Sequence, residues 1–197
     1  LDTDTHQGKF CPHCGGELHM MPVSQNRPIS TSGAAQPSRR VCAILDNIRS
    51  AFNVGGIFRT ADGVGVEHLY LCGITPTPAV HPNMSKTALG AENEVQWSHH
   101  LNALAVAKDL KKAGAYLVAL ERTPESIPIQ NFLLDDIDGG TIGLVVGHER
   151  AGVDPGLLDL CDAVISLPMV GGKSSLNVAV AFGAAAYWLA FSQNPGV

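Results

Sequence analysis

The sequence predicts a three-layer α/β domain built on a mostly parallel β-sheet. The main support is that short, continuous runs of Val, Ile and Leu alternate along the chain with longer segments of helical character. Strands that are apolar on both faces are typical of parallel sheets covered by helices on each side. With 197 residues, 45% of them hydrophobic, the chain can bury one core, and a charged fraction of only 16% argues against general disorder.

Five strands and four helices follow from this alternation. We predict strands over residues 41–45, 68–72, 116–120, 141–146 and 163–167, and helices over 51–63, 101–113, 155–161 and 176–191. The last helix contains the longest apolar run. That run is shorter than the about 20 residues that span a bilayer, so we expect a buried helix and no membrane partner. Ligands of parallel α/β sheets bind beyond the carboxyl ends of the strands, so the loops that follow the strands form the candidate site.

Residues 1–38 differ in composition from the predicted domain at 39–197. Four prolines and a stretch rich in Ser, Gly, Gln and Pro indicate a small arm and a flexible linker. In the arm, Cys11 and Cys14 form a Cys-Pro-His-Cys sequence that looks like one knuckle of a zinc ribbon, whereas a structural zinc usually has four ligands. The other ligands would come from a second chain or from His6, His13, His19 or Cys42; otherwise the two cysteines are free thiols.

Charge and cysteine content narrow the partners and the compartment. The net charge is −5, yet the first sixty residues are net positive and contain Arg39, Arg40, Arg49 and Arg59. A nucleic-acid partner is therefore compatible with the sequence, but its contacts would be local. Five unevenly spaced cysteines and the absence of a signal-peptide pattern predict a reducing, cytoplasmic location.

Three loops at predicted strand ends carry candidate chemistry, and the first covers residues 53–62. Asn53 precedes Gly55 and Gly56, which would let the backbone approach a ligand closely. Arg59 follows on the same predicted helix, where a guanidinium can form a fork onto a phosphate. The alternative is an ordinary helix start with a surface arginine.

The second loop, residues 147–152, directly follows the strand 141–146. Its glycines suit a sharp turn, and Glu149 could orient another polar group, whereas a solvated glutamate in a strand-to-helix turn is the alternative. We expect His148 to be structural or exposed.

The third loop runs over residues 167–177 into the last helix, which Ser174 or Ser175 could cap. Its Gly171-Gly172-Lys173-Ser174 segment imitates a phosphate-binding P-loop, but Leu167 stands where that motif needs glycine.

Taken together, the three loops resemble the SpoU/TrmH class of SPOUT RNA methyltransferases. The resemblance extends over residues 41–189 and rests on three motifs: residues 53–61, Gly147-x-Glu149-x-x-Gly152, and Leu167-Pro168-Met169 followed by Ser175-Leu176-Asn177-Val178. It implies a SPOUT fold with a C-terminal trefoil knot and a homodimer with the site near the subunit interface. It also implies S-adenosylmethionine as cofactor and a 2′-O-methylated ribose in tRNA or rRNA as product.

The same resemblance implies roles for particular residues. The cofactor would contact Leu120, Gly147, Ile165, Leu167, Met169 and Leu176. The catalytic set would be Asn53, Arg59, Glu149, Ser175 and Asn177. Glu149 would orient Asn53 or Arg59, while Ser175 and Asn177 would fix the loop and the target ribose.

The group that removes the 2′-hydroxyl proton stays open. A guanidinium is protonated up to about pH 12 or beyond. Arg59 would therefore act as base only after desolvation, or it would only position the nucleotide while the proton leaves late.

Two other functions are compatible with parts of the sequence. A non-catalytic RNA-binding or assembly protein could use the same fold, although it would not need all five polar residues together. A nucleotide hydrolase rests only on Gly172-Lys173-Ser174 and lacks the rest of its motif.

Overall fold

The structure is a computed structural model that describes residues 36–133 and 140–192. The strands are β1 (Arg40–Asp46), β2 (His68–Cys72), β3 (Trp97–His100), β4 (Tyr116–Leu120), β5 (Ile127–Pro128), β6 (Thr141–Val146) and β7 (Ala163–Ser166). The α-helices are α1 (Ala51–Val64), α2 (Ser85–Ala88), α3 (Ala91–Glu94), α4 (Ala103–Lys112), α5 (Pro155–Leu158) and α6 (Val178–Phe191). Short 3-10 helices occupy Pro82–Met84 and Ile129–Asn131.

The seven strands form one sheet in the order β3-β2-β1-β6-β4-β7-β5, and each neighbouring pair is parallel. In the register of the central pair, Leu45 of β1 lies opposite Val146 of β6. The carboxyl ends of β1, β6, β4 and β7 therefore lie side by side at one edge. That edge is where parallel α/β sheets bind ligands.

Two helical layers cover the sheet, which confirms the three-layer prediction. Val41, Ala43 and Leu45 of β1 belong to the core that also contains residues of α1, α2, α3 and α6. Ile44, which points to the opposite face, belongs to the second core with residues of α4 and α5. Successive side chains of β1 thus point to opposite faces of the sheet, and both faces are buried.

Most predicted elements are present, with changed ends. The bounds predicted for β2, β4 and β6 are confirmed, while the helix predicted over 155–161 ends at Leu158. The last helix begins at Val178 rather than at Leu176, because Asn177 is its N-cap. The prediction omitted β3, β5 and the short helices between β2 and β3.

Several predictions concern parts of the chain outside the described residues or features beyond its secondary structure. Cys11 and Cys14, and most of the arm predicted over 1–38, lie outside the described residues. The trefoil knot and the boundary at residue 39 also stay predictions. Across 36–133 and 140–192, no helix has the length and apolar character to cross a membrane.

Candidate functional site

A cavity of about 460 Å³ opens at the carboxyl edge of the sheet. Its volume is within the range of small-molecule sites, about 300–1,000 Å³. Nine residues predicted for the site line it: Asn53, Leu120, Gly147, Glu149, Leu167, Met169, Ser175, Leu176 and Asn177. The predicted convergence of three distant loops on one cavity is therefore present in the structure.

Glu149 joins the second loop to the start of α1. Its Oε1 atom accepts hydrogen bonds from the backbone amides of Arg49 (3.2 Å) and Ser50 (3.1 Å) and from Nδ2 of Asn53 (3.0 Å). Its Oε2 atom accepts a second bond from the Arg49 amide at 3.0 Å. Burial raises the pKa of Glu149, but these donors outweigh it, and the net pKa lies below its ordinary value.

Asn53 and Asn177 extend this contact across the cavity to the start of α6. Asn177 Nδ2 donates to Asn53 Oδ1 at 3.0 Å, and Asn177 Oδ1 accepts from the Ala179 amide at 2.9 Å. The second of these bonds is the N-cap of α6. The Glu149–Asn53–Asn177 chain thus fixes one loop and two helix starts relative to one another.

The turn at 147–152 is compact because it contains glycine at two positions. A side chain at Gly147 would collide with the backbone of Gly152, and one at Gly152 would collide with the carboxylate of Glu121. Gly152 also has a φ of +78°, which disfavours other residues. His148 Nδ1 accepts from the amides of Arg150 and Ala151 at 3.0 and 3.1 Å and so braces the turn, while the residue also lines the cavity.

The sequence analysis missed Glu121 and Arg122, which line the cavity directly after β4. Glu121 Oε2 accepts from the Val153 amide at 2.9 Å, and Arg122 Nη1 donates to the Ser174 carbonyl at 3.1 Å. A signal for both was present, because they are the first charged residues after a strand whose end was predicted correctly.

Two predicted residues lie away from the cavity. Arg59 is exposed on α1 and is not among the lining residues. It follows Asn53 by six residues, which turns its side chain roughly 120° around the helix from Asn53. Ile165 is fully buried in the core and is not among the residues that line the cavity.

Two local predictions need correction. Gly55 and Gly56 do not bring the backbone to the cavity: a side chain at Gly55 would meet Met84 and Thr87, and one at Gly56 would meet Ala179. These glycines allow close packing of α1 on its neighbouring helices. The cap of α6 is Asn177, and neither predicted serine has that role; Ser175 lines the cavity instead.

The parallel sheet, its helical layers and the cavity at its carboxyl edge define a three-layer α/β domain with a ligand-sized site, and solved SpoU/TrmH methyltransferases share this fold. The Aquifex aeolicus TrmH/SpoU tRNA modifying enzyme matches with a TM-score of 0.67 and 29% identity, over 78% of this chain and 75% of that one. The methyltransferase AviRb from Streptomyces viridochromogenes, solved with AdoMet, matches with a TM-score of 0.65 and 25% identity, over 79% and 61%.

The chain belongs to the SpoU rRNA Methylase family, whose model matches residues 40–187. It is 34% identical over 149 residues to the tRNA (guanosine(18)-2′-O)-methyltransferase of Aquifex aeolicus, covering 72% of this chain and 64% of that protein. It is 29% identical over 179 residues to the 23S rRNA (guanosine-2′-O-)-methyltransferase RlmB of Xanthomonas campestris, covering 90% and 67%. The chain spans between 53% and 68% of the length of the curated relatives that it matches.

Proposed function

We propose that this protein is an S-adenosylmethionine-dependent methyltransferase that acts on a ribose 2′-hydroxyl of tRNA or rRNA. The observation that carries the proposal is the Glu149–Asn53–Asn177 chain at the mouth of one cavity. It joins the three motifs in a single site. Relatives named as guanosine 2′-O-methyltransferases and a neighbour solved with AdoMet support the same chemistry.

The residues around the cavity suit an adenosine-containing cofactor. Leu120, Leu167, Met169 and Leu176 provide apolar surface for an adenine ring. The backbone of the irregular loop at 167–177 offers polar groups that can read its edge. When bound there, S-adenosylmethionine supplies an electrophilic methyl group, and the protein's task is to place a ribose oxygen in line with it.

Glu149 acts in this scheme as a positioning residue. Both of its oxygens already accept hydrogen bonds, and its pKa is lowered despite the opposing effect of burial. A carboxylate in that state is a poor acceptor for the 2′-hydroxyl proton. Its function is to hold the Asn53 amide in one orientation, so that Asn53 and Asn177 keep the two helix starts in place beside the substrate.

Arg59 binds the RNA phosphate at the reacting nucleotide and comes from the second subunit of a homodimer. This arrangement accounts for its exposed place on α1, outside the cavity of its own subunit. A guanidinium that forks onto a phosphate fixes the ribose without first losing a proton. The 2′-hydroxyl proton then passes to solvent water, late in the displacement.

The homodimer would use the outer faces of α1 and α6. These helices pack closely, with Gly56 against Ala179, and leave apolar side chains outside: Phe52 is 55%, Val180 59% and Tyr187 49% exposed. A second copy of the chain would bury this surface. Light scattering should give twice the chain mass, and Val180→Arg should shift the protein to monomer.

A non-catalytic RNA-binding protein on the same fold is the second candidate, and one experiment separates the two. Purified protein is titrated calorimetrically with S-adenosylmethionine and then incubated with labelled cofactor and total tRNA or rRNA. Binding followed by label in a ribose 2′-O position supports the methyltransferase. Folded dimer that binds RNA but neither binds the cofactor nor transfers a methyl group supports the alternative. Comparing ribose methylation in cells with and without the protein identifies the nucleotide.

Zinc in the arm and a cytoplasmic location complete the proposal. The cysteines of the described part, Cys42, Cys72 and Cys161, are free thiols, which fits a reducing compartment. The zinc hypothesis for Cys11 and Cys14 rests on their spacing in the sequence alone. Metal analysis of the purified chain and its Cys11→Ser variant tests it: about one zinc per chain that is lost in the variant supports the site, and no zinc in the parent rejects it.

A further inference from the structure

Glu121 connects the end of β4 to the turn at 147–153. Its Oε2 accepts the Val153 amide at 2.9 Å and its Oε1 accepts the Arg122 amide at 2.8 Å. Gly152 lies so close that any side chain there would overlap the Glu121 carboxylate. One side chain therefore holds the turn that carries Gly147 and Glu149 at a fixed distance from β4.

Arg122 makes the corresponding contact with the loop at 167–177. Its Nη1 donates to the Ser174 carbonyl at 3.1 Å, across 52 residues of sequence. Residues 170–177 are exposed, so little packing holds this loop in place. Within the described residues, the side-chain hydrogen bonds that attach this loop to the rest of the domain are that of Arg122 to Ser174 and that of Asn177 to Asn53.

We propose that Glu121 and Arg122 are positioning residues for cofactor binding, each tethering one wall of the cavity to the end of β4. This inference rests on the proposed function, because it takes S-adenosylmethionine as the ligand. Glu121 fixes the second loop and Arg122 fixes the third, so both walls are held before the cofactor enters. Pre-ordered walls increase affinity because binding does not have to order them.

The opening of each loop can be measured by proteolysis at a different residue, without any ligand. Trypsin can cut after Arg150 in the second loop and after Lys173 in the third, and both residues are exposed. Local opening makes such bonds available to a protease. Arg122→Ala should speed cleavage after Lys173 several-fold and leave cleavage after Arg150 unchanged. Glu121→Gln places a side-chain NH₂ group against one of the two backbone NH groups, of Val153 and Arg122, that donate to the carboxylate. This variant should speed cleavage after Arg150 several-fold and leave cleavage after Lys173 unchanged.

Cofactor binding gives the second readout. For both variants we expect the Kd of S-adenosylmethionine and of S-adenosylhomocysteine to rise about tenfold or more, as expected when a hydrogen bond with a charged partner is lost. The melting temperature should stay near the parent value, so that a loss of affinity can be separated from a loss of stability. Arg122→Lys, which keeps a cationic donor, should restore part of the affinity. Lys108→Ala, at an exposed position of α4, is the matched control for loss of one cation.

The outcomes separate this inference from the proposed function. The tethering role of Glu121 and Arg122 is refuted if the parent binds the cofactor normally and both variants match Lys108→Ala in cleavage rates and cofactor affinity. The proposed function would stand in that case. A fall in melting temperature that accounts for the loss of affinity also overturns the tethering role, because it indicates a general structural role. A folded parent protein that does not bind S-adenosylmethionine overturns the proposed function and the cofactor role together.

Discussion

Asn177 donates a hydrogen bond to Asn53 at 3.0 Å, although 124 residues separate them in the chain. Each residue also contributes to the start of its own helix. The backbone NH of Asn53 donates to the side chain of Ser50, the N-cap of α1, and the side chain of Asn177 is the N-cap of α6. The contact therefore couples the starts of two helices at one point beside the cavity. Its removal is the most direct test of the proposed site.

Asn53→Ala should lower methyl transfer strongly while the fold persists. The substitution removes the bonds to Glu149 and to Asn177, each worth about 1 kcal/mol. We expect kcat to fall about 100-fold or more, with the free energy of unfolding reduced by about 1–2 kcal/mol. Single-turnover methylation and urea denaturation measure the two effects. A variant with full turnover would remove Asn53 from the site.

Arg59→Ala should abolish methylation without weakening cofactor binding. Arg59 is exposed and does not line the cavity, so the loss of its side chain leaves the cofactor contacts intact. Calorimetry should give an unchanged Kd for S-adenosylmethionine, while turnover on RNA falls about 10³-fold, as for the loss of an arginine that acts on a phosphate group. Normal turnover in this variant would refute the role given to Arg59.

Glu149 should make the protein less stable in acid. Its pKa in the folded state is below the ordinary value of 4.5, because hydrogen bonds from Arg49, Ser50 and Asn53 outweigh the opposing effect of burial. The ionised form thus contributes stability at pH values above 4.5, and this contribution is lost as the pH falls through the lower folded value. Glu149→Gln should show a smaller loss of stability between pH 6 and pH 3 in thermal melts. Parallel curves for parent and variant would contradict the assignment.

Gly147→Ala should disrupt the second loop. The added methyl group would overlap the backbone of Gly152, which cannot yield without opening the turn. We expect a destabilisation of about 1–3 kcal/mol and loss of cofactor binding. Gly171→Ala is the matched control, because a side chain at that glycine would meet no atom within 4 Å. Similar melting temperatures and cofactor affinities for the two variants would show that the close approach is not required.

The central strands could be predicted because their environment is uniform. β4 and β6 are buried on both faces, so their sequences are nearly continuous apolar runs with clear ends. β2 has half-buried His68 and Tyr70 on one face, but its buried leucines and Cys72 still mark the strand. β3 was missed because it is an edge strand that pairs only with β2 and has the polar sequence Trp-Ser-His-His. β5 contains two residues, too few to produce any pattern.

Site residues could be predicted where they directly follow a strand end. They could not be predicted where the direction of a side chain or its depth in the core determines whether it reaches the cavity. Ile165 lies one residue before the end of β7, so its side chain points into the core. The Arg122 contact with Ser174 depends on the spatial order β4-β7, which no single loop sequence contains. The resemblance supplied the residues, but their partners required three-dimensional information.

The Asn177 cap has a consequence for the ribosomal synthesis of this protein. α6 packs on α1 and β1, which are made much earlier, so the site needs contacts of very long sequence separation. Loop closure of that kind is slow and comes late in folding. A nascent chain in which α6 has not yet docked has the Glu149–Asn53 contact but not the Asn53–Asn177 contact. Affinity for the methyl donor would therefore indicate that the polypeptide has finished folding.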